Sequence, residues 1–344
     1  MPEMTISDRI LVIVDPTRDD EQACVTRGAW LAKKLNRGLE LLICFYDQSL
    51  SGDHFFDTAG LQRARRDCLV HLRSKLEDIA RPLQQDGHDV IVSAVWDTPL
   101  DEGIIRHVLR NKPFIVVKET HYHSKIGRAL FSNTDWNLVR LCPEPLWLAK
   151  DTEWPDGAPV LASVDPTHER DEYAELDDQI LNPAATLADR LSCDLHAFHA
   201  FAPIVSGSVV SLDPGVFTID DYNEEVRESH KKRLDKLLDG YPILEQNVHL
   251  VTGYAPQLLP EVARDIGAGV VVMGSIKRNP LQRILVGSTT EQVLDQLPCD
   301  LLVVKPLWFE CPIEEQEPLY FEGSVENQVF VDETSTQDQS ARTQ

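Results

Sequence analysis

The sequence predicts an α/β fold of parallel sheets, built twice along the chain. Short apolar runs rich in Val, Ile and Leu alternate with stretches whose apolar residues recur at helical spacing. A polar segment broken by two prolines, Asp151 to Pro159, is followed by the same order of runs again. In both copies the first run ends Asp-Pro-Thr, at residues 15–17 and 165–167, an offset of 150.

In the first copy, Arg9 to Val14 reads as a buried strand stopped by Pro16. Asp19, Asp20 and Glu21 suit the first turn of a helix running to about Leu35, which Asn36-Arg37-Gly38 closes. Leu39 to Tyr46 is a second strand. A Ser/Gly/Asp loop leads to a helix from Leu61 to Arg81 whose stripe of Leu69, Leu72 and Leu76 faces a core. Asp89–Val95 and Pro113–Val117 are the third and fourth strands, with a helix over Leu100–Leu109 between them. A helix over Ser132–Leu141 and a short fifth strand, Leu146–Ala149, complete the copy.

Pro159 to Thr167 then repeats the first strand, Cys193–Ala202 the second, Asn247–Gly253 the third, Gly269–Met273 the fourth and Leu301–Lys305 the fifth. The closing helix Ser132–Leu141 corresponds to Ser288–Leu297 at an offset of 156, the drift being absorbed by loops. Two units account for the 344 residues: domain 1–150, linker 151–159, domain 160–306, each with its own core. Residues 307–344 carry many glutamates, almost no basic charge and no periodicity, and read as an acidic disordered tail.

No apolar run reaches the ~20 residues of a membrane helix, and Met1 to Asp8 lacks the pattern of a secretory leader. The seven cysteines are scattered and never spaced CxxC, as expected of reduced thiols in a cytoplasmic protein. A net charge of −23 argues against a nucleic-acid surface.

The most informative stretch is Val270 to Leu294. Val270–Met273 is a buried strand that stops at Gly274-Ser275. A basic loop with Lys277, Arg278 and Arg283 leads to Gly287-Ser288-Thr289, where a helix with Val293, Leu294 and Leu297 on one face begins. Small residues and hydroxyls at a strand exit and a helix entry offer N–H groups to a phosphate. The plain alternative is Gly274 as strand terminator and Ser288 as helix N-cap.

With the duplicated Asp-terminated first strand, the fourth strand ending at Gly274 and the Gly287-Ser288 helix entry, the chain resembles the universal stress protein family over about residues 9 to 306. Trp154-Pro155 and Thr134-Asp135-Trp136 are similar to its tandem, E-type form. The resemblance implies two doubly wound five-stranded parallel sheets with strand order 3-2-1-4-5 in each. It places a ligand outside the carboxyl ends of strands one and four. The family's G-x2-G-x9-G-[ST] signature falls on Gly274, Lys277 and Gly287-Ser288, with Lys277 in place of the middle glycine. Asp165 matches the family's adenosine contact. ATP with magnesium is the implied ligand of the second half, held by Asp165, Gly274, Ser275, Gly287, Ser288 and Thr289, while Lys277 either blocks the site or adds a charge for a phosphate. In the first half, Lys118, His121 and Phe131-Ser132 stand at the signature positions beside a retained Asp15, and no nucleotide is expected there.

The expected role is therefore a binding or regulatory module in stress survival, including DNA-damaging or growth-arrest conditions, rather than a catalyst. The fifth strands should pair so that the two halves form an intramolecular pseudo-dimer, and further homodimerisation stays open. No G-x-S-x-G or GxxxxGK[ST] element is present. Rival readings are a binder of a non-nucleotide small molecule, using 47–88 and 203–246 as pocket walls, a protein-interaction scaffold, and a weak ATP hydrolase relying on Asp165. His121-Tyr122-His123 is expected to lie in a loop, solvated rather than metal-bound. His196 and His199 should face opposite sides of a strand as packed positions. Gly207 to Ser211 reads as a flexible connection, and Lys231, Lys232 and Arg233 as a solvated helix face shared with Glu224, Glu225 and Glu228.

Overall fold

A computed structural model describes residues 8–51, 59–123, 128–130, 133–167, 174–203, 219–275, 293–294, 296–318 and 320–323. The first half runs β1 (Arg9–Ile13), α1 (Ala23–Leu35), β2 (Gly38–Phe45), α2 (Ala59–Gln85), β3 (Val90–Trp96), α3 (Leu100–Asn111), β4 (Ile115–Glu119), a short hairpin β5 (His121–His123) and β6 (Arg128–Leu130), α4 (Asn133–Leu141) and β7 (Leu146–Ala149). The second runs β8 (Val160–Ser163), α5 (Ala174–Leu191), β9 (Leu195–Phe201), α6 (Ile219–Leu238), β10 (Val248–Thr252), α7 (Ala255–Asp265), β11 (Val270–Gly274) and β12 (Asp300–Val304), and the chain ends its described part in β13 (Tyr320–Gly323).

All strands but the small hairpin join one sheet, in the order β10-β9-β8-β11-β12-β7-β4-β1-β2-β3-β13. Within each half the neighbours are parallel, so each reads 3-2-1-4-5 in its own numbering. The two fifth strands meet antiparallel, Leu302 opposite Trp147, about a pseudo-two-fold axis. This continuity changes the expectation of one core per domain. One apolar cluster runs along one face of the sheet from Ile10 and Leu41 to Leu181 and Val272, the other along the opposite face from Leu11 and Val116 to Val271 and Leu301. Because side chains alternate across each strand, the cores are two faces, not two halves.

The junction is built from buried polar contacts as well. Asp300, at the start of β12, accepts from Trp147 Nε1 (2.8 Å) and from Lys150 N (2.9 Å), and pairs with Arg27 of α1 at 2.7 Å. Lys150 Nζ donates to the Leu297 carbonyl, and Lys305 Nζ to the Val139 and Arg140 carbonyls. The residue after each half's last strand is thus a lysine that donates to carbonyls of the other half, and Lys305 caps the carboxyl end of α4, where the dipole favours a cation. The predicted linker is anchored: Trp154 packs against Trp30 at 4.8 Å and Trp147 at 5.9 Å, under Arg27.

Three expectations change. The fourth strand lies at Ile115–Glu119 rather than 113–117. His121–His123 is a strand rather than a loop. The tail is not wholly disordered: after Lys305 the chain brings Cys311 and Ile313 against the core, and β13 pairs antiparallel with β3, Tyr320 opposite Trp96. The segments meant as pocket walls are filled by α2 and α6, each packed on the sheet. Gly207 to Ser211 lies outside the described residues.

Candidate functional site

At the carboxyl ends of β8 and β11 the sequence-predicted residues Asp165 and Gly274 come together, because Ser163 and Met273 are register partners one or two residues earlier. The Asp165 Oδ1 accepts from the Thr167 hydroxyl at 2.7 Å and its N–H at 3.3 Å, closing an Asx turn at the strand end. The Asp165 N–H donates to Asp177 Oδ1 of α5 at 2.9 Å. Gly274 lies under α5: a Cβ there would sit 2.6 Å from Leu176 Cδ2. Ser275 turns away, its N–H donating to the Val304 carbonyl (3.0 Å) and its hydroxyl to Val139 of the first half (3.3 Å). A phosphate ligand role for that hydroxyl is therefore withdrawn, since it is already bonded across the junction. Lys277, Gly287, Ser288 and Thr289 lie outside the described residues.

The first half repeats the Asx turn, Asp15 Oδ1 accepting from the Thr17 hydroxyl (2.6 Å) and N–H (2.9 Å). Its strand four differs from the sequence reading. Ile13 pairs with Lys118 as Ser163 pairs with Met273, so Glu119, not Lys118, is the counterpart of Gly274. Thr120 then matches Ser275, each donating its N–H to the last residue of the neighbouring fifth strand, Ala149 or Val304. The glycine site of the second half is thus a buried carboxylate in the first. Glu119 is paired with Arg18, which also holds Asp20. Lys118 points to the other face and pairs with the fully buried Asp135 of α4 at 2.5 Å. The offset taken from the closing helices concealed this one-residue difference. Arg18 and Glu119 carried no signal beyond charge. Of the remaining counterparts, Ser132 and the His121 side chain lie outside the described residues.

The walls of the two crevices differ in titratable groups. Beside Asp15, Gln22 both accepts from its N–H (2.9 Å) and donates to its carbonyl (2.8 Å). Beside Asp165, the corresponding contact is made by Asp177, whose carboxyl burial pushes up to about 7, the charges of Asp165 and Asp178 adding to the push and the Asp165 N–H opposing it. His199 of β9 donates Nδ1–H to the Val164 carbonyl (3.1 Å) and meets His230 of α6 at 2.8 Å. Burial pulls both imidazoles down, with Asp165 opposing. Among the described residues no three His, Cys, Asp or Glu side chains gather to hold a metal ion.

The universal stress protein family model matches residues 7–150 and again 173–305. The chain belongs to the universal stress protein family. The relatives extend over the tandem layout. Universal stress protein E of Salmonella typhi is 28% identical over 315 residues, spanning 90% of this chain and 98% of its own. The universal stress protein E homolog of Haemophilus influenzae is 24% identical over 303 residues, 86% of this chain and 97% of its own. Among solved structures, a universal stress protein from Pseudomonas aeruginosa UCBPP-PA14 superposes with TM-score 0.68 at 24% identity, over 87% of this chain and 94% of that one. One from Archaeoglobus fulgidus DSM 4304 gives TM-score 0.58 at 18% identity, over 87% and 99%. As a tandem universal stress protein, this chain carries two copies of one crevice, with different residues at the position of Gly274.

Proposed function

We propose that the protein is a cytosolic stress-response binding module, not a catalyst, that takes ATP in its second half and nothing phosphorylated in its first. The contrast between Gly274 and Glu119 carries this reading. A phosphate needs close backbone approach and no opposing charge, which a glycine permits. A buried carboxylate at the same place repels phosphate oxygens, and its pairing with Arg18 removes the cation that would attract them. Asp165 stands at the end of the adjacent strand, where it can accept from a sugar hydroxyl or a base.

Calorimetry of the full chain with Mg-ATP tests the proposal. One saturable site is expected, lost in Asp165→Ala and Gly274→Glu and kept in Glu119→Gly, with melting curves confirming that each variant folds. Undiminished binding in the first two variants, or no saturable heat in the wild type, would overturn it. One observation favours a scaffold without nucleotide: the contact of α5 through Leu176 already requires a glycine at 274. Under that reading the wild type gives no heat.

A further inference from the structure

Strand β9 carries His196 and His199 on opposite faces, and each is hydrogen-bonded to a second histidine. His196 Nδ1 lies 2.9 Å from His249 Nε2 on β10, the ring planes 7° apart and the centroids 5.2 Å apart. On the other face His199 Nε2 lies 2.8 Å from His230 Nδ1 on α6, and the His230 ring also stacks on Phe201 at 4.7 Å. Two imidazoles in such contact share one proton between the facing nitrogens, one donating and one accepting. In the second pair the roles are fixed. The Val164 carbonyl requires N–H at His199 Nδ1, so His199 Nε2 accepts and His230 Nδ1 donates, leaving His230 Nε2 as the place for one further proton. In either pair a first added proton goes to the outward nitrogen of the donor ring and leaves the shared hydrogen bond in place. A second one, which charges both rings, sets N–H against N–H at under 3 Å and breaks it.

Among its described residues the first half contains no such device. By register, Ile43 stands where His199 does, while Glu40 and Ser93 stand where His196 and His249 do, bonded at 2.7 Å. Glu40 is further held by His107 at 2.9 Å. Burial pushes the Glu40 carboxyl up, but His107 and the Ser93 hydroxyl outweigh it and hold it below the usual carboxylate value, so mild acid leaves this carboxylate ionised and its contacts in place.

We propose that the two histidine pairs are an acid-responsive latch, holding α6 and β10 to β9 at neutral pH and loosening the second half, but not the first, in mild acid. The surrounding charges fit this sign. Burial disfavours the charged ring in all four histidines. Asp194 at the start of β9 favours charge on His196, and Asp165 at the end of β8 favours it on His199 and His230, while Arg233 of α6 opposes it on His230. The helix α7, on the face of His196 and His249, brings Leu258, Leu259 and Val262 to the core, with Glu261 and Arg264 as the charged residues beside them. A histidine whose folded value is depressed binds fewer protons folded than unfolded. Its contribution is therefore present above the ordinary histidine value and lost as pH falls through the folded one. Asp177, raised instead, acts in the opposite direction, so the latch must be read as a difference between wild type and variants. Because the Val164 carbonyl precedes Asp165, the latch adjoins the candidate ligand site without depending on any ligand.

Hydrogen exchange of the ligand-free full chain at pH 7.5 and 5.0, corrected for intrinsic exchange, reads this directly. Protection in β9, β10 and α6 should fall about tenfold or more relative to β1 and β2 on acidification. His199→Ile with His230→Leu should abolish the fall in α6, and His196→Thr with His249→Thr the fall in β10. An equal fall in both halves, or the same fall in wild type and both double variants, would overturn the proposal. Imidazole titration by NMR in the wild type gives an independent reading if a variant does not fold. His199 protonated at Nδ1 and four rings titrating below the ordinary value are expected, and four ordinary titrations would refute the latch.

Discussion

Asp177 does with a carboxyl what Gln22 does with an amide. Gln22 offers a donor and an acceptor to the backbone of Asp15, whereas an ionised Asp177 offers only acceptors beside Asp165. Burial keeps the proton on Asp177 to about 7. An acid whose folded value is raised contributes stability that declines as pH climbs from the ordinary carboxylate value to the raised one. Asp177→Asn should therefore change stability little at pH 4 and raise it by about 1–3 kcal/mol at pH 8, measured by urea unfolding. A variant equally shifted at both values would contradict this. The Asx turns at Asp15 and Asp165 were legible in the repeated Asp-Pro-Thr. The carboxyl at 177 and the carboxylate at 119 were not, because a loop of different length precedes each and only strand register aligns them.

At the level of elements, strands were the most legible, since a buried parallel strand leaves a continuous apolar run. Helices α5 and α7 each contain a proline, Pro183 and Pro260, and the sequence pattern placed no helix there. The tail strand β13 was hidden by its acidic surroundings. What holds it is an edge and two arginines: β3 supplies the ladder, Arg65 donates to the Tyr320 hydroxyl at 2.8 Å and lies over its ring, and Arg110 donates to the Gln316 carbonyl. Such an edge is a liability when uncovered. Truncation after Pro318 should lower stability by about 1–3 kcal/mol and promote self-association, seen in melting curves and light scattering. A truncated protein that melts like the full chain and stays dispersed would show that β13 contributes nothing.

For the whole molecule, the continuous sheet makes the halves interdependent. A chain of residues 1–158 would expose the β7 edge with Trp147 and leave the buried Arg27 without Asp300. It should be recovered as a dimer or not folded at all, by size-exclusion chromatography with light scattering, and a stable monomer would argue against this account. The sequence by itself determined the α/β class, the duplication and the family, because these rest on local periodicity and short motifs repeated in order. The joining of the halves through their fifth strands was an expectation that the structure bears out. Only the tertiary structure decided that the cores are two faces of one sheet rather than two halves, that Glu119 stands in the first crevice where Gly274 stands in the second, and that histidines meet in pairs. Those features depend on register and on contacts between residues far apart in the chain, which no local pattern encodes.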